Sequence, residues 1–448
     1  MKVLVAGGGK SGRAVLTLLK KQGQDAEIVD DEVLNSCPQS QKNINFDRLF
    51  SGLSFIVKSP GLSFDLPFFK EAKKRKIKVV GELEYASGFV QGDIIAVTGT
   101  NGKTTTVSLM YHILSGLMSN VFLGGNVGVP VSSFASQTQK GDVVILECSS
   151  FQLEKIKNFK PHIACILNVT PDHLNRHKTM KNYLDCKWNI AKKLTENDYL
   201  IVNADDENLM KNLKNTKAKI FFFSTKKQVV GCYVKRNSIY FNDNFSEVRL
   251  LSLSKFKLVG EHNISNLLCA CLAIFLQTKS KIILENAYTF LGVEHRIEYV
   301  KTIKNIAFYN DSKATNTDSS MVAIKSFKCG INLILGGSDK GCDFDDFFKK
   351  LPRNVKNIAL FGETKHKIAF FAEKNNFKNY TIFDNLKACV WWCYSKSKPN
   401  EIVLLSPACA SFDCFKSYEE RGSIFKKIVE EIFKNETAES KSSKTTQV

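Results

Sequence analysis

The segment at residues 94–106 constrains the fold more than any other part of this chain. Its apolar run IIAV leads into the loop GTNGKT at residues 99–104, and an apolar-periodic stretch follows at residues 107–117. This order predicts a strand, a glycine loop and a helix, which is the context in which such a loop binds nucleotide phosphates. The loop is tighter than the common pattern, because Val97 stands where the first glycine is usual. The segment therefore predicts an α/β domain that binds a nucleoside triphosphate.

The residue types of this loop suit phosphate chemistry. Glycines let backbone N–H groups turn toward phosphate oxygens, and the start of the following helix adds positive potential. Lys103 is expected to neutralise the β- and γ-phosphates, and the Thr104 hydroxyl is expected to bind Mg²⁺. The loop residues predicted to contact ATP are Gly99, Thr100, Asn101, Gly102, Lys103, Thr104 and Thr105.

Length and composition narrow the class of protein. The 448 residues exceed what one hydrophobic core holds and suggest about three domains. No stretch offers the run of about 18 apolar residues that a membrane helix needs, and the chain begins on an apolar strand rather than a signal peptide. The 13 cysteines form no CxxC pair, which predicts free thiols in the cytoplasm. The net charge of +19 comes from lysines spread along the chain, so no nucleic-acid partner is expected.

Residues 1–90 are predicted to form a first α/β domain, which is Rossmann-like. An apolar strand leads into the glycine loop GGGKSG at residues 7–12, and a helix and a second strand ending in Asp30 follow. This order matches the fingerprint of a dinucleotide site, although similar loops bind other phosphates. From these residues alone, the nucleotide stays open.

In residues 91–292, polar side chains follow buried strands at the edge where open α/β sheets bind ligands. Glu147 ends the strand VVILE and is expected to be the second contact of Mg²⁺, and His173 follows the next strand along the chain. Asn126 lies in a glycine turn, where it could contact a ligand or simply stabilise the turn. Asn263 and Asn266 share one face near the start of an apolar helix. A mostly parallel, P-loop ATPase-like central domain is therefore predicted.

Residues 293–434 show a third alternation of strands and helices, which predicts another Rossmann-like domain. Its strands end in polar turns, among them NDSKATN at residues 310–316, GGSDKG at 336–341 and SPACASF at 406–412. The last segment, residues 435–448, is rich in Ser, Thr and Lys and is predicted to be a disordered tail.

These turns, with EHR at residues 294–296 and NVTPDH at 168–173, make the chain similar to the Mur ligase family over nearly its whole length. The resemblance implies that ATP phosphorylates the terminal carboxylate of UDP-N-acetylmuramoyl-L-alanine, and that the amine of D-glutamate then displaces phosphate as the amide forms. The segments NDSKATN and SPACAS most resemble the members that add D-glutamate in peptidoglycan synthesis. The family also leads us to expect a monomer.

The resemblance implies a role for each matching residue. Thr104 and Glu147 would hold one Mg²⁺, and His173 with a carbamylated Lys187 would hold a second. The implied catalytic set is Lys103, Glu147, His173 and Lys187. ATP would also meet Asn263, Asn266, Arg296, Asp311 and Lys313. The UDP substrate would meet Ser11, Asp30, Asn126 and His173, so that the first loop binds UDP rather than a dinucleotide, and D-glutamate would meet Thr315, Lys340, Ser406 and Phe412.

Two alternatives are weaker. A ligase that resembles folylpolyglutamate synthetase and adds L-glutamate would share the ATP core, but the short first domain and the C-terminal motifs disfavour it. A NAD-dependent oxidoreductase would leave the GKT loop and the third domain without a purpose.

Overall fold

The computed structural model describes residues 2–29, 31–35, 45–339, 341 and 343–445. The chain divides into two compact units, one of residues 1–256 with 262–290 and one of residues 257–261 with 291–448. Within the described residues, the first unit contains a four-stranded and a nine-stranded sheet, and the second unit contains a six-stranded sheet. The mixed α/β class with mostly parallel strands is therefore confirmed.

The first sheet is parallel throughout, with the strand order β2-β1-β3-β4. Strand β1, one of the two central strands, carries the run VLVA. This run is buried on both faces, as expected where helices cover a parallel sheet. The strands are β1 (Lys2–Ala6), β2 (Asp25–Val29), β3 (Leu53–Lys58) and β4 (Lys78–Gly81). The helices are α1 (Lys10–Lys21), α2 (Asp31–Leu34), α3 (Phe46–Phe50), α4 (Pro67–Lys74) and α5 (Glu82–Ala86).

The second sheet has the order β13-β12-β11-β10-β9-β8-β5-β7-β6, in which β12 pairs antiparallel with both β11 and β13 and the other described pairs are parallel. Its strands are β5 (Asp93–Thr98), β6 (Val121–Gly125), β7 (Val143–Glu147), β8 (Ile163–Ile166), β9 (Tyr199–Asn203), β10 (Lys219–Ser224), β11 (Gly231–Lys235), β12 (Ser238–Asn242) and β13 (Glu247–Ser252). Its helices are α6 (Lys103–Ser115), α7 (Ser150–Leu153), α8 (Leu174–His177), α9 (Met180–Trp188), α10 (Glu207–Lys211) and α11 (Glu261–Thr278). The strand, loop and helix predicted around the GKT motif are confirmed.

The first two sheets lie in one compact unit and share apolar contacts. Leu18 of α1 and Leu83 of α5 belong to the same apolar core as Ile94 of β5. The buried Glu82 carboxylate accepts hydrogen bonds from the backbone N–H and hydroxyl of Ser132, at 2.9 and 2.7 Å. The three sheets lie within the three predicted residue ranges, but the division into three separate domains stays a prediction.

The sheet of the second unit has the order β14-β15-β19-β16-β17-β18, and only β14 pairs antiparallel. Its strands are β14 (Glu298–Ile303), β15 (Ile306–Asn310), β16 (Ile331–Gly336), β17 (Val355–Phe361), β18 (Tyr380–Ile382) and β19 (Ile402–Leu405). Its helices are α12 (Thr317–Lys325), α13 (Asp345–Lys349), α14 (Lys365–Lys374), α15 (Leu386–Lys396) and α16 (Tyr418–Thr445).

Helix α16 corrects the prediction of a disordered tail from residue 435. The helix continues to Thr445, and residues 446–448 lie outside the described part. Phe425, Val429 and Ile432 anchor one face of the helix in the core, and helix extension beyond an anchored turn costs little. Glu436 then accepts a hydrogen bond from the Tyr394 hydroxyl at 2.8 Å. Of the described helices, none is both long enough and apolar enough to cross a bilayer.

Candidate active site

The phosphate loop joins β5 to α6 and rests on α11. Gly102 has a φ of 84°, a left-handed conformation that favours glycine. A Cβ at this position would lie 2.3 Å from Oδ1 of Asn266, so a side chain is excluded by space as well. Asn266 is buried, and its Nδ2 donates to Oδ1 of Asn263 at 3.4 Å. The structure therefore brings both predicted asparagines to the phosphate loop.

Asn168 holds the same loop from the neighbouring strand. It follows β8, and its Oδ1 accepts hydrogen bonds from the N–H groups of Thr100 and Asn101 at 3.1 and 2.8 Å. Its Nδ2 donates to the carbonyl of Asn101 at 3.0 Å. Asn168 belongs to the NVTPDH motif, but the motif alone indicated no role for it. Its position directly after a buried strand beside β5 was the available signal.

Glu147 connects the loop to the rest of the site. It ends β7, which is paired with β5, and the carboxylate is buried. Its Oε2 accepts a hydrogen bond from the Thr104 hydroxyl, and its Oε1 accepts one from Nδ2 of Asn126, both at 2.8 Å. Three of the predicted residues thus form one contiguous group. Lys103 lies in the same loop, and its Nζ donates to the carbonyls of Gly99 and Thr100 at 2.8 Å.

The Thr104–Glu147 pair fits Mg²⁺ by the chemistry of its donors. A hydroxyl and a carboxylate are hard oxygen ligands, which Mg²⁺ prefers. Among the described residues, no group of three or more His, Cys, Asp or Glu side chains could hold a metal ion. Mg²⁺ at this pair would therefore take its remaining ligands from water and phosphate oxygens, as is usual for this ion.

Lys187 and His173 both lie around Tyr183. The Lys187 Nζ is 4.3 Å from the centroid of the Tyr183 ring, and the His173 ring centroid is 6.4 Å from it. The Tyr183 hydroxyl lies 3.1 Å from Oγ1 of Thr100, which links this group to the phosphate loop. Burial, together with the positive charge of Lys103, lowers the pKa of Lys187 to about 6. Two nitrogen donors do not suit Mg²⁺, so a second ion fits this pair only if Lys187 gains oxygen atoms.

A cavity of about 530 Å³ lies in the first unit, and its lining includes Asn126, whose amide donates to Glu147. It is lined by residues 7–11 of the first glycine loop, residues 59–62 after β3, and Gly125, Asn126 and Gln152. Ser11 and Asn126, both predicted to bind the substrate, therefore share one cavity. Lys10 reaches across it, and its Nζ donates to the carbonyl of Gly128 at 3.0 Å. The predicted Asp30 lies outside the described residues.

The first glycine loop packs closely against the start of α1. A Cβ at Gly12 would lie 1.8 Å from the carbonyl oxygen of Gly7, so only glycine allows this approach of α1 to the loop. A larger cavity of about 760 Å³ lies elsewhere on the unit, around Trp188, and its lining contains none of the predicted site residues. The smaller cavity is therefore the candidate substrate site.

In the second unit, Asp311 is the centre of a buried polar group. Its Oδ2 accepts a hydrogen bond from the Ser406 hydroxyl at 2.7 Å, and its Oδ1 accepts one from the N–H of Ile297 at 3.2 Å. Burial raises the pKa of Asp311 to about 7, although these hydrogen bonds and the charge of Arg296 oppose the rise. The structure thus joins Asp311 to Ser406, which were predicted to bind different substrates.

The other predicted residues of this unit are less concentrated. The Lys313 Nζ lies 5.8 Å from the centroid of the Tyr418 ring, and Thr315 is half-buried in the same turn. Phe412 is 70% exposed, so its ring is not part of the buried group around Asp311. Lys340 lies outside the described residues.

Comparison with known proteins assigns the chain to a family. Residues 97–274 match the Mur ligase middle domain, and residues 295–409 match the Mur ligase glutamate ligase domain. A UDP-N-acetylmuramoylalanine–D-glutamate ligase of Lachnoclostridium phytofermentans is 40% identical over 442 residues, which cover 96% of this chain and 97% of the relative. The chain belongs to the Mur ligase family. A ligase of the same description from Thermoanaerobacter pseudethanolicus is 41% identical over 447 residues, covering 96% and 98% of the two chains.

The fold of this Mur ligase is also similar to solved structures. The MurF ligase of Thermotoga maritima, in a complex with ADP, aligns with a TM-score of 0.56 and 16% identity. The alignment covers 92% of this chain and all of the other chain. At this identity the comparison supports the fold alone.

One residue of this Mur ligase that the sequence analysis missed is Arg421. Its guanidinium is fully buried and donates to the hydroxyl and carbonyl of Ser312, at 2.9 and 2.8 Å. It also donates to the carbonyls of Cys409 and Ala410, each at 3.1 Å. Arg421 therefore joins the NDSKATN turn to the SPACASF turn. A Cβ at the neighbouring Gly422 would lie 2.2 Å from Nδ1 of His295, so this turn of α16 packs closely against His295.

Proposed function

We propose that the protein is an ATP-dependent ligase that joins D-glutamate to UDP-N-acetylmuramoyl-L-alanine in the synthesis of peptidoglycan precursors. The observation that carries this proposal is the position of Glu147. Its two carboxylate oxygens contact Thr104 of the phosphate loop and Asn126 of the cavity, so the phosphate loop and the cavity meet at one side chain. The relatives that match nearly the whole chain supply the identity of the substrates.

The proposed chemistry follows from the weakness of a carboxylate as an electrophile. The substrate lies in the cavity with its carboxylate toward Glu147, and that carboxylate attacks the γ-phosphate of ATP. ADP leaves, and an acyl phosphate forms. The amine of D-glutamate then attacks the acyl carbon, loses a proton and expels phosphate. Lys103 would turn from the loop carbonyls toward the phosphates and offset the charge that develops on the transferred group. When bound, Mg²⁺ would add to this charge neutralisation.

The remaining roles are proposed for residues around this centre. Asn263, Asn266, Arg296, Asp311 and Lys313 are proposed to contact the nucleotide. We propose that Thr315, Lys340, Ser406 and Phe412 bind D-glutamate. His173 is proposed to contact the carboxylate that becomes phosphorylated, and Ser11 and Asp30 to contact the UDP end.

A carbamate on Lys187 is proposed because the buried amine is largely neutral at neutral pH. Its pKa of about 6 leaves the lone pair free to add CO₂, and the proton of the new N–CO₂ group is released to solvent. The product carries two carboxylate-like oxygens in place of an amine. It would thus satisfy the requirement for oxygen ligands that Lys187 and His173 do not meet by themselves.

We further propose a cytoplasmic monomer. The eleven cysteines that the structure describes are all free, and eight of them are buried. Free thiols are typical of proteins kept in a reducing compartment.

The test is release of phosphate from ATP in the presence of UDP-N-acetylmuramoyl-L-alanine. D-glutamate, L-glutamate and no amino acid are compared, with Glu147→Gln as the matched variant that keeps the shape of the side chain. Release that requires D-glutamate and is lost in Glu147→Gln is the expected result. Release with L-glutamate on a folate substrate would replace this proposal by the folylpolyglutamate-like alternative. Release that persists in Glu147→Gln would overturn the role given to Glu147.

A further inference from the structure

A buried lysine outside the proposed catalytic group holds one wall of the substrate cavity. Lys58 is the last residue of β3, and only 2% of it is exposed. Its Nζ donates to the carbonyls of Ser59 at 3.1 Å, Leu62 at 2.7 Å and, more weakly, Pro60 at 3.5 Å. One amine thus gathers the carbonyls of the turn formed by residues 59–62, which we name the 59–62 turn.

The burial of Lys58 has a cost that calls for a reason. Desolvation, together with the charge of Arg176, lowers the pKa of Lys58 to about 7. An apolar side chain in this place would avoid that cost but would leave the carbonyls of the turn without their donor. Both protonation states of the amine carry N–H groups, so the hydrogen bonds persist on either side of this pKa.

The 59–62 turn forms part of the candidate substrate site. All four of its residues line the cavity of about 530 Å³ together with the first glycine loop. The N–H of Ser59 donates to the carbonyl of Ala6 at 3.0 Å, and its hydroxyl lies 3.4 Å from the carbonyl of Gly7. The width of the cavity therefore depends on where this turn is held.

A second cation reaches the same turn from the segment that carries His173. Arg176 lies in α8, and its Nη2 donates to the carbonyl of Leu62 at 3.0 Å and to Oε2 of Glu154 at 2.9 Å. Its Nη1 approaches the carbonyl of Gly61 at 3.4 Å. Lys58 and Arg176 thus share the Leu62 carbonyl, and the negative charge of Glu154 offsets their mutual repulsion.

We infer that Lys58 and Arg176 are positioning residues. They fix the 59–62 turn so that the UDP-sugar substrate binds in the cavity with its reacting carboxylate at His173. This inference rests on the proposed function for the identity of the substrate. Neither side chain needs to touch the substrate, since both act through the carbonyls of the turn. The loss of either should therefore weaken the binding of the UDP substrate more than that of ATP or D-glutamate.

The experiment compares Lys58→Met, Arg176→Met and the double variant in the full chain. Methionine keeps most of the aliphatic volume of both side chains but donates no hydrogen bond. We expect KM for UDP-N-acetylmuramoyl-L-alanine to rise about tenfold in each single variant, while KM for ATP and kcat change less than about twofold. The double variant should lose less than the product of the two single effects, because both act through one carbonyl.

Lys155→Met is the matched control. The Lys155 Nζ lies 4.0 Å from the centroid of the Phe64 ring, as the Lys58 Nζ lies 4.6 Å from it, but Lys155 is exposed and donates none of the hydrogen bonds that hold the turn. We expect all three KM values to be unchanged in this control. Equal rises of KM for every substrate, or fully multiplicative effects in the double variant, would indicate general destabilisation and overturn the inference.

Hydrogen exchange separates this inference from the proposed function. The N–H of Leu62 donates to the carbonyl of Ser59 within the turn, so its exchange in the substrate-free protein should accelerate in Lys58→Met and not in Lys155→Met. If the wild-type protein failed to use the UDP substrate, the proposed function would be refuted, and the exchange rates would still report on the turn. Unchanged exchange with unchanged KM in an active protein would refute the inference alone.

Discussion

Replacement of Arg421 by methionine should destabilise the second unit and weaken the use of D-glutamate. Methionine has a similar length but leaves the Ser312 hydroxyl and three backbone carbonyls without their donor. A hydrogen bond from a charged group contributes about 1.5–3 kcal/mol, but removal of a buried charge returns much of its desolvation cost. We therefore expect the free energy of unfolding of this unit to fall by about 2–4 kcal/mol.

Fluorescence can be made specific for this unit. The protein has three tryptophans, of which Trp391 and Trp392 lie on α15 in the second unit and Trp188 lies in the first. In a Trp188→Phe background, urea unfolding followed by tryptophan emission reports on the second unit alone. All Arg421 variants are compared in this background, so that the effect of Trp188→Phe cancels.

Kinetics and a conservative variant complete this test. Arg421→Lys keeps the charge, but its donors diverge from one atom and cannot reach both turns, so its stability should lie between those of the wild type and Arg421→Met. KM for D-glutamate should rise in Arg421→Met, because the two turns that it joins carry Thr315 and Ser406. If Arg421→Met unfolded within about 0.5 kcal/mol of the wild type and kept its KM for D-glutamate, the joining role would be refuted.

Three further predictions follow from single contacts. Gly102→Ala places a Cβ 2.3 Å from Oδ1 of Asn266, so KM for ATP measured by phosphate release should rise at least about tenfold; a wild-type value would contradict the packing argument. Asn168→Ala removes three hydrogen bonds from the phosphate loop, and a similar rise of KM for ATP with little change for D-glutamate is expected in the same assay. Burial raises the pKa of Asp311 to about 7 from an unfolded value of 3.8, so the folded protein keeps a proton that the unfolded chain loses. The stability that this proton contributes is complete below about pH 4 and is lost as the pH rises to about 7. In Asp311→Asn, the urea concentration at which the second unit is half unfolded should therefore depend less on pH over this range. A pH dependence equal to that of the wild type would refute the assignment.

Most of the fold was predictable because its strands are short apolar runs followed by glycine or polar turns. The strand, loop and helix around Lys103 are confirmed, as are the strands that end in Glu147 and Asn310. The edge strand β18 and the antiparallel strand β14 were missed, since a partly exposed strand lacks a continuous apolar run. The packing of the first two sheets against each other could not be derived from the sequence, because it depends on contacts such as that of Glu82 with Ser132, far apart in the sequence.

The candidate site was predictable to the extent that its residues stand in local motifs. Thr104, Glu147 and Asn126 follow strands that the sequence reveals, and the carboxyl ends of parallel strands meet at one edge, so their contact could be expected. The lowered pKa of Lys187 could not be expected from the sequence, because it arises from burial against Tyr183 and from the nearby charge of Lys103. Neither the burial of a helix residue nor its charged neighbours can be derived from a short motif.

The residues that hold the turns were the hardest to predict, and they suggest one principle for all three sheets. A turn at a sheet edge leaves carbonyls and N–H groups that no strand or helix satisfies, and a polar side chain from elsewhere must satisfy them. Asn168 does so 67 residues from Asn101, Arg176 does so 114 residues from Leu62, and Arg421 does so 109 residues from Ser312.

Each of these three side chains holds a turn proposed to face a different substrate. Loss of Asn168 should therefore raise mainly KM for ATP, loss of Arg176 mainly that for the UDP substrate, and loss of Arg421 mainly that for D-glutamate. If each side chain acts through the turn that it holds, its loss should raise KM for one substrate only. If the three side chains merely stabilise the fold, the loss of any one should raise KM for all three substrates. A matrix of three variants against three KM values distinguishes the two explanations, because only the first produces a diagonal pattern.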